Sequence, residues 1–310
     1  MRCMMKKFSA FLILLSLILS VASAEVTVEQ NQYLDYAFMG LEEGNPFVQI
    51  YEEQTGAEIT PILPCGVPYF FGGQDYRYLT MVKKVTQDSK YGAIGQKYIY
   101  GFDCTGFTRW IQEKASDKNH PGLSDMILKR SKYKEYRLED LLFDVGMYKP
   151  SYMARDQLTV STAPEIAQKL QIGDFLVAKH GGRHILMYIG TLRDYGYTED
   201  TAGEAGAYLD YPLMINCGND PNYKERTAQY IKDNDLDARP SNGGVTVSIV
   251  GMKGSDAPHL REDGVKEFYY FDLNGYQLSV YDVSDASSYV LWRTPEQDRG
   301  TGKPKYPECL

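Results

Sequence analysis

The segment Gly101-Phe102-Asp103-Cys104-Thr105-Gly106-Phe107 is a turn that leads directly into a predicted helix. After it, Phe107, Trp110 and Ile111 recur at i, i+3 and i+4, which predicts one apolar face of a helix that begins at about Cys104. A thiol at a helix N-terminus faces unpaired backbone N–H groups and the positive end of the helix dipole, which stabilise a thiolate. Cys104 is therefore a candidate nucleophile, and a buried structural cysteine or a disulfide partner is the alternative.

A nucleophilic thiol needs a base, and the chain has four histidines, at positions 120, 180, 184 and 259. His184 opens the apolar strand predicted for 185–189, where a rigid backbone can hold an imidazole against a neighbouring helix end. His180 is the nearest competitor, but it precedes two glycines and is expected in a loop. His120 and His259 adjoin prolines and are expected in surface turns. His184 is the preferred base, with a histidine satisfied in the core as the alternative.

A third polar group would orient the imidazole. Asn216 is polar on the otherwise apolar strand predicted for 213–217, which makes it the first candidate. Asn219, Asp220 and Asp210 are alternatives, and an asparagine that caps the turn before Gly218 is an equally simple interpretation.

The rest of the chain predicts helices followed by mostly antiparallel strands, which is an α+β class. Helical segments are expected within 27–54, around 138–145, and from a capping box at Thr162 and Glu165 to Leu170. The further strands are expected at 175–178, 245–250, 268–273 and 276–283. Asn274-Gly275 between the last two is a strong hairpin signal.

Residues 1–24 combine a basic start, an apolar run and small residues at Ala22 and Ala24, and so predict a secretory signal with cleavage after Ala24. The run is shorter than the roughly 20 residues that span a bilayer, and no membrane association is expected after cleavage. Removing its three basic residues changes the net charge from −8 to −11. An acidic chain of this kind argues against nucleic acid as a partner.

Four cysteines remain after the signal, at positions 65, 104, 217 and 309. Their spacing is too open for a small disulfide scaffold or for a C-x-x-C metal site, and neither a metal nor a cofactor is expected. Cys217 adjoins the proposed orienting residue and is predicted to be buried and free. A bridge between Cys65 and Cys309 is possible.

Four segments taken together resemble the NlpC/p-sixty family of cell-wall cysteine peptidases. They are, in order, 66–73 (GVPYFFGG), 102–107 (FDCTGF), 170–176 (LQIGDFL) and 184–190 (HILMYIG). The resemblance implies a papain-like fold, in which a central antiparallel sheet packs on the helix that carries the nucleophile.

Carried over residue by residue, the resemblance makes Cys104 the nucleophile, His184 the base and Asn216 the orienting residue. It places Tyr69 beside the nucleophile as an oxyanion donor and Asp103 near a free amine of the substrate. Thr105 stands where the family usually has Ser, and Asn216 where it often has His; both keep hydrogen-bonding capacity.

The family core covers 63–217, interrupted by family-atypical insertions at 74–102, 113–169 and 191–212. We expect an N-terminal helical segment at 25–60 and a catalytic domain at 61–310, in which 240–310 is a β extension of the central sheet. The implied activity is a secreted peptidoglycan hydrolase that cuts stem-peptide amide bonds, with the bond between D-Glu and the diamino acid favoured. An N-acetylmuramoyl-L-alanine amidase with the same site, or a catalytically silent cell-wall-binding module, are the alternatives.

Overall fold

The computed structural model describes residues 32–42, 44–60, 66–88, 92–115, 163–168, 170–178, 184–220, 223–252, 270–273, 276–283 and 289–292. The α-helices of these residues are α1 (Gln32–Met39), α2 (Pro46–Thr55), α3 (Cys104–Ala115), α4 (Ala163–Ala167) and α5 (Tyr223–Asp233). Short 3-10 helices lie at Tyr76–Tyr78, Arg193–Tyr195 and Gly203–Tyr208. Among the described residues, no helix has the length and apolar character needed to cross a membrane.

The strands form two sheets. A small antiparallel pair joins β1 (Val82–Lys84) to β2 (Lys97–Ile99). The main sheet is built from β3 (Phe175–Ala178), β4 (Ile185–Thr191), β5 (Pro212–Asn219), β6 (Gly243–Met252), β7 (Tyr270–Leu273), β8 (Tyr276–Val283) and β9 (Tyr289–Trp292). Its order is β7-β8-β6-β5-β4-β3-β9, and every neighbouring pair is antiparallel except β6 and β8, which are parallel.

The first two helices share the core of the sheet. Asn45 caps α2 by accepting a hydrogen bond from the Phe47 N–H at 2.9 Å, and Pro46 occupies the first turn, where its missing N–H has no consequence. From α1, Tyr33 meets the ring of Phe175 on β3 edge to face. The N-terminal helices are therefore packed into the same hydrophobic cluster as the sheet.

Helix α3 lies against the strands at the centre of the sheet. Its Phe107 and Ile111 are fully buried and Trp110 nearly so, in one cluster with β4 and β5. Tyr36 of α1 packs edge to face on Trp110, with the ring centroids 5.8 Å apart. The apolar face of α3 thus packs on the sheet, and its Trp110 also packs on α1. Together these two contacts hold the start of α3 over the middle of the sheet.

The predicted α+β class is confirmed. The strands expected at 175–178 and 276–283 have those bounds, and those expected at 185–189, 213–217 and 245–250 extend by one or two residues at one or both ends. β7 is shorter than the prediction, beginning at Tyr270, and it pairs antiparallel with β8. The strands after residue 240 join the main sheet. The signal segment, the helix at 138–145, Thr162 and the Asn274-Gly275 turn lie outside the described residues.

Candidate active site

Helix α3 begins at Cys104, as the sequence predicts, and Asp103 caps it. Oδ1 of Asp103 accepts hydrogen bonds from the Gly106 N–H at 2.6 Å and from the Thr105 hydroxyl at 2.7 Å. This arrangement satisfies a backbone donor that the helix itself leaves unpaired. Thr105 also accepts a hydrogen bond from the Gln74 side chain at 3.2 Å. Asp103 and Thr105 therefore shape the helix start; their contact with a substrate stays a prediction.

The loop that carries Tyr69 lies directly on the segment before Cys104. The Phe102 N–H donates to the Pro68 carbonyl at 3.0 Å, and the Phe70 N–H donates to the Phe102 carbonyl at 2.9 Å. Tyr69 forms a parallel bridge with Phe102 and is partly buried against the core. The structure thus places Tyr69 beside the nucleophile segment, while the role of its hydroxyl stays a prediction.

Three glycines make this contact between loop and helix start possible. A Cβ on Gly101 would lie 1.7 Å from the Pro68 carbonyl oxygen, one on Gly73 would lie 2.1 Å from the Gly101 carbonyl oxygen, and one on Gly106 would lie 1.9 Å from the Gly73 carbonyl oxygen. Each obstacle is backbone, which cannot rotate away. Only glycine fits at these positions, and the loop and the helix start consequently touch backbone to backbone.

His184 and Asn216 are in contact. His184 lies immediately before β4, Asn216 lies on the adjacent β5, and Nε2 of the imidazole is 3.0 Å from Oδ1 of the amide. The amide nitrogen of Asn216 donates to the Ser248 hydroxyl on β6 at 3.4 Å. The carbonyl end of Asn216 faces the ring, and this contact is a hydrogen bond in the tautomer that carries its proton on Nε2.

Gly218 has no side chain, and His184 and Asn216 occupy the space that a side chain at this position would fill. A Cβ at position 218 would lie 3.0 Å from both Cε1 of His184 and Oδ1 of Asn216, and 3.4 Å from Nε2. The ring and the amide therefore pack against the bare backbone of β5. From the sequence, Gly218 is expected only after a turn that follows the strand, and this role is not predicted.

Cys104 meets the strand that carries His184. Its sulfur takes part in a hydrogen bond with the backbone N–H of Ile185, the residue next to His184, and the N–H groups of Thr105 and of Cys104 itself also lie beside the sulfur. Helix α3 packs on both β4 and β5. The sulfur of Cys104 thus lies at the backbone of the residue that follows His184, and the imidazole of His184 contacts Asn216.

Burial controls the ionisation of the site. It raises the pKa of the Cys104 thiol to about 12, and the charge of Asp103 acts in the same direction. The nearby N–H groups lower this pKa, but by less than burial raises it. The N–H groups at the helix start favour the thiolate, in the direction that the sequence predicts, but desolvation outweighs them. Burial also lowers the pKa of His184 to about 4, opposed by the Asn216 hydrogen bond. Both groups are neutral at pH 7.

Cys217 is a second thiol close to the first. It is buried and free, as predicted, and its sulfur donates to the Phe102 carbonyl at 3.2 Å. Burial raises its pKa well above the ordinary value, and the charges of Cys104 and Asp103 add to this. Cys65 and Cys309 lie outside the described residues, as do His120, His180 and His259.

The alternatives for the orienting residue have other partners. Asp210 is exposed and forms a two-pronged ion pair with Arg193, at 2.8 and 2.9 Å. Asp220 is buried, and its charge adds to burial, the larger cause, in raising the pKa of Glu42. Of Asn219 only the backbone is described. Asn216 is the candidate whose side chain contacts His184. The sequence analysis missed Ser248, because its position behind Asn216 depends on strand pairing.

Within the described residues, no group of three or more His, Cys, Asp or Glu side chains is arranged to hold a metal ion. No protein-family model matches the chain, and no curated protein or solved structure shows significant similarity to it.

Proposed function

We propose that this chain is an extracytoplasmic cysteine peptidase of the NlpC type, which hydrolyses amide bonds in the stem peptides of peptidoglycan. The observation that carries the proposal is the junction of Cys104, at the start of a buried helix, with the strand end that bears the His184–Asn216 pair. A thiol, an imidazole and an orienting amide in this arrangement are the parts that thiol acyl transfer requires.

The architecture supports the same proposal. A papain-like fold of the NlpC type places its nucleophile at the start of a helix that packs on an antiparallel sheet, and α3 packs in this way on β4 and β5. The four segments of family resemblance are linked in space. The loop 66–73 contacts 101–106, Ile185 of 184–190 meets Cys104, and the end of 170–176 begins β3, which pairs with β4.

In the first half of the reaction, the sulfur of Cys104 attacks the carbonyl carbon of the amide while Nδ1 of His184 takes the thiol proton. Nε2 keeps its proton because it donates to Asn216. The oxyanion that forms needs hydrogen-bond donors, and the N–H groups of Cys104 and Thr105 lie beside the sulfur. The tetrahedral intermediate then collapses to a thioester as the imidazolium gives its proton to the leaving amine.

In the second half, Nδ1 of His184 removes a proton from water, whose oxygen attacks the thioester carbonyl. The second tetrahedral intermediate releases the carboxylic acid, and the sulfur leaves as a thiol after it receives the proton from the imidazolium. Since thiol and imidazole are both neutral before substrate binds, the proton transfer coincides with attack and does not precede it.

The direct test is digestion of purified sacculi, with the soluble fragments identified by mass. We expect the parent chain to release fragments cut within the stem peptide, and we expect Cys104→Ser and His184→Ala to release none. Cys217→Ser is the matched control, because it changes a buried thiol close to the site and should leave the fragments unchanged.

The masses also separate the alternatives. Fragments cut between the glycan and L-Ala would show that the protein is an amidase and not a stem-peptide peptidase. Digestion by Cys104→Ser at the parent rate, or binding of sacculi by the parent without cleavage, would contradict the proposal.

A further inference from the structure

A cleft lies between the turn that joins β1 to β2 and the segment that precedes β6. Its volume is about 470 Å³, and residues 94–97 line one wall and 237–239 the other. Two backbone contacts hold these walls together. The Arg239 N–H donates to the Lys97 carbonyl at 2.8 Å, and Tyr98 forms a parallel bridge with Arg239. The main chain therefore sets the shape of the cleft, and substitutions of its side chains leave these contacts in place.

Positive charge is concentrated on one face of the β1–β2 pair, beside this cleft. Lys84 lies directly opposite Lys97 in the antiparallel register, so both side chains leave the same face. Like charges that are directly opposite destabilise a strand pair. Asp237 offsets part of this repulsion, because it forms an ion pair with Lys97. The Lys97 hydrogen bond is the main cause that lowers the pKa of Asp237, and the charge of Lys84 acts in the same direction.

Arg239 adds a third cation to the cleft. Its side chain is exposed, and within the part of the chain that the structure describes its guanidinium has no hydrogen bond or ion pair. Asp88 also lies at the turn, where its carboxylate accepts the Ile94 N–H at 2.7 Å. Three cations thus face two carboxylates, Asp237 and Asp88, in a chain whose net charge is −8. A guanidinium can bind a carboxylate through two parallel N–H bonds, so the cleft has the charge and the donors for an anionic ligand.

This positive charge is local and does not form a track. Lys83 leaves the opposite face of β1, where its Nζ lies 4.0 Å from the centroid of the Tyr78 ring. Arg77 is paired with Asp75 at 2.6 Å. The cationic face is therefore suited to one small anionic group, whereas a long polyanion needs a continuous row of cations.

Both walls of the cleft continue to the proposed active site. β2 leads from Lys97 to Phe102, and the segment after Arg239 reaches Tyr69, whose N–H donates to the Gly243 carbonyl at 2.7 Å. Phe102 follows Lys97 by five positions. A strand rises about 3.3 Å per residue, so the two residues are at most about 17 Å apart. An extended peptide of about five residues covers the same distance.

We propose that this cleft is a remote subsite, where Lys84, Lys97 and Arg239 bind a free carboxylate of the peptide substrate. The carboxylate lies up to about five residues from the amide bond that the thiol attacks. This inference deepens the proposed function and rests on it for the identity of the substrate. The subsite does not touch the reacting atoms, so its binding energy lowers KM and leaves kcat almost unchanged.

Synthetic stem peptides of three to five residues, each prepared as the free acid and as the C-terminal amide, test the ligand. With Cys104→Ser, which removes the nucleophilic thiol, we expect the acid to bind about two- to fivefold more tightly than the amide, the effect of one exposed ion pair. Adding Arg239→Gln should abolish this difference. Equal binding of acid and amide at every length would overturn the proposal. Tighter binding of a phosphodiester polymer than of any peptide acid would also overturn it.

Charge variants test the site in the active protein. Lys84→Gln and Arg239→Gln should each raise KM for the free acid by about two- to fivefold with little change in kcat. Asp237→Asn should lower KM by a similar factor, because it removes a carboxylate that repels the ligand and releases Lys97. Lys83→Gln is the matched control, since it removes the same charge from the opposite face of β1. An equal rise of KM in the control, or a rise in Asp237→Asn, would contradict a carboxylate subsite.

Failure of this inference and failure of the proposed function give different results. If the parent does not digest sacculi, the function is wrong, while the binding of peptide acids and amides to Cys104→Ser still tests the cleft. If the parent digests sacculi but the acid and the amide bind equally, the cleft is not the subsite and the function stands. The substituted residues of the cleft are exposed, and an unchanged urea midpoint would confirm that each variant is folded.

Discussion

Replacing Gly218 by alanine should disable the base without unfolding the protein. The new Cβ would lie 3.0 Å from Cε1 of His184 and 3.0 Å from Oδ1 of Asn216. Carbon atoms prefer separations of about 3.5–4.0 Å, so the ring has to retreat by about 0.5 Å or more. The distance between Nε2 and Oδ1, now 3.0 Å, would then approach the limit of a hydrogen bond.

The magnitude follows from these two effects. Loss of the neutral hydrogen bond costs about 0.5–1.5 kcal/mol, which is up to about tenfold in rate. Displacement of His184 from the position that the proposed mechanism requires adds to this, because a misplacement of about 1 Å can cost about a hundredfold. We therefore expect Gly218→Ala to alkylate at Cys104 about 10 to 100 times more slowly than the parent.

The measurement is the rate of iodoacetamide alkylation, located by peptide mapping so that Cys104 and Cys217 are separated. Gly206→Ala is the matched control, since its Cβ would also meet an obstacle at 3.0 Å, the Glu199 carbonyl oxygen, in a different element of the fold. A parent-like rate in Gly218→Ala, or an equal loss in Gly206→Ala, would refute this account of position 218.

Four further predictions concern the capping carboxylate, the ionisation of His184, the ionisation of Cys104 and the second thiol. Asp103→Ala should lower the free energy of unfolding by about 1 kcal/mol in urea, whereas Asp103→Asn should keep the cap and, by removing the charge that raises the Cys104 pKa, speed alkylation at neutral pH. Because burial lowers the pKa of His184 to about 4, the unfolded chain binds this proton first as the pH falls. The contribution of His184 to the free energy of unfolding is fully present above its ordinary pKa of about 6.5 and is lost as the pH falls from there through 4. In His184→Gln the urea concentration at the unfolding midpoint should therefore depend less on pH over that range. Because burial raises the pKa of Cys104 to about 12, its alkylation rate should keep rising above pH 9, and a plateau near pH 7 would contradict the burial argument. Cys217 should stay unmodified in native protein and react only when urea unfolds the chain, while early labelling at this position would show that it is exposed.

The parts of the site that follow local patterns could be predicted from the sequence. The start of α3 at Cys104 follows from the apolar spacing of Phe107 and Trp110, and the two strands that carry the imidazole and the amide follow from apolar runs with a polar residue at a defined place. These features depend on residues within a few positions of each other. Strands that follow one another in the sequence often pair, so β4 and β5 could be expected side by side.

The parts that depend on distant residues could not be predicted. Ser248 reaches Asn216 only because β6 pairs with β5 in one particular register, and nothing near Ser248 in the sequence specifies that register. The net ionisation of Cys104 could not be predicted either. The helix dipole can be inferred from the local sequence, but desolvation depends on how the rest of the chain closes over the thiol.

The backbone contacts of Gly73, Gly101 and Gly106 restrict how this protein can change. Any side chain at these three positions would collide with a carbonyl oxygen of a neighbouring segment, so a library randomised over 66–107 should return glycine at each of them. Phe71 lies on the same loop with 45% of its surface exposed, and substitutions there meet solvent. New substrate preferences should therefore arise on the outer face of the loop, while the distance between the loop and the thiol stays constant.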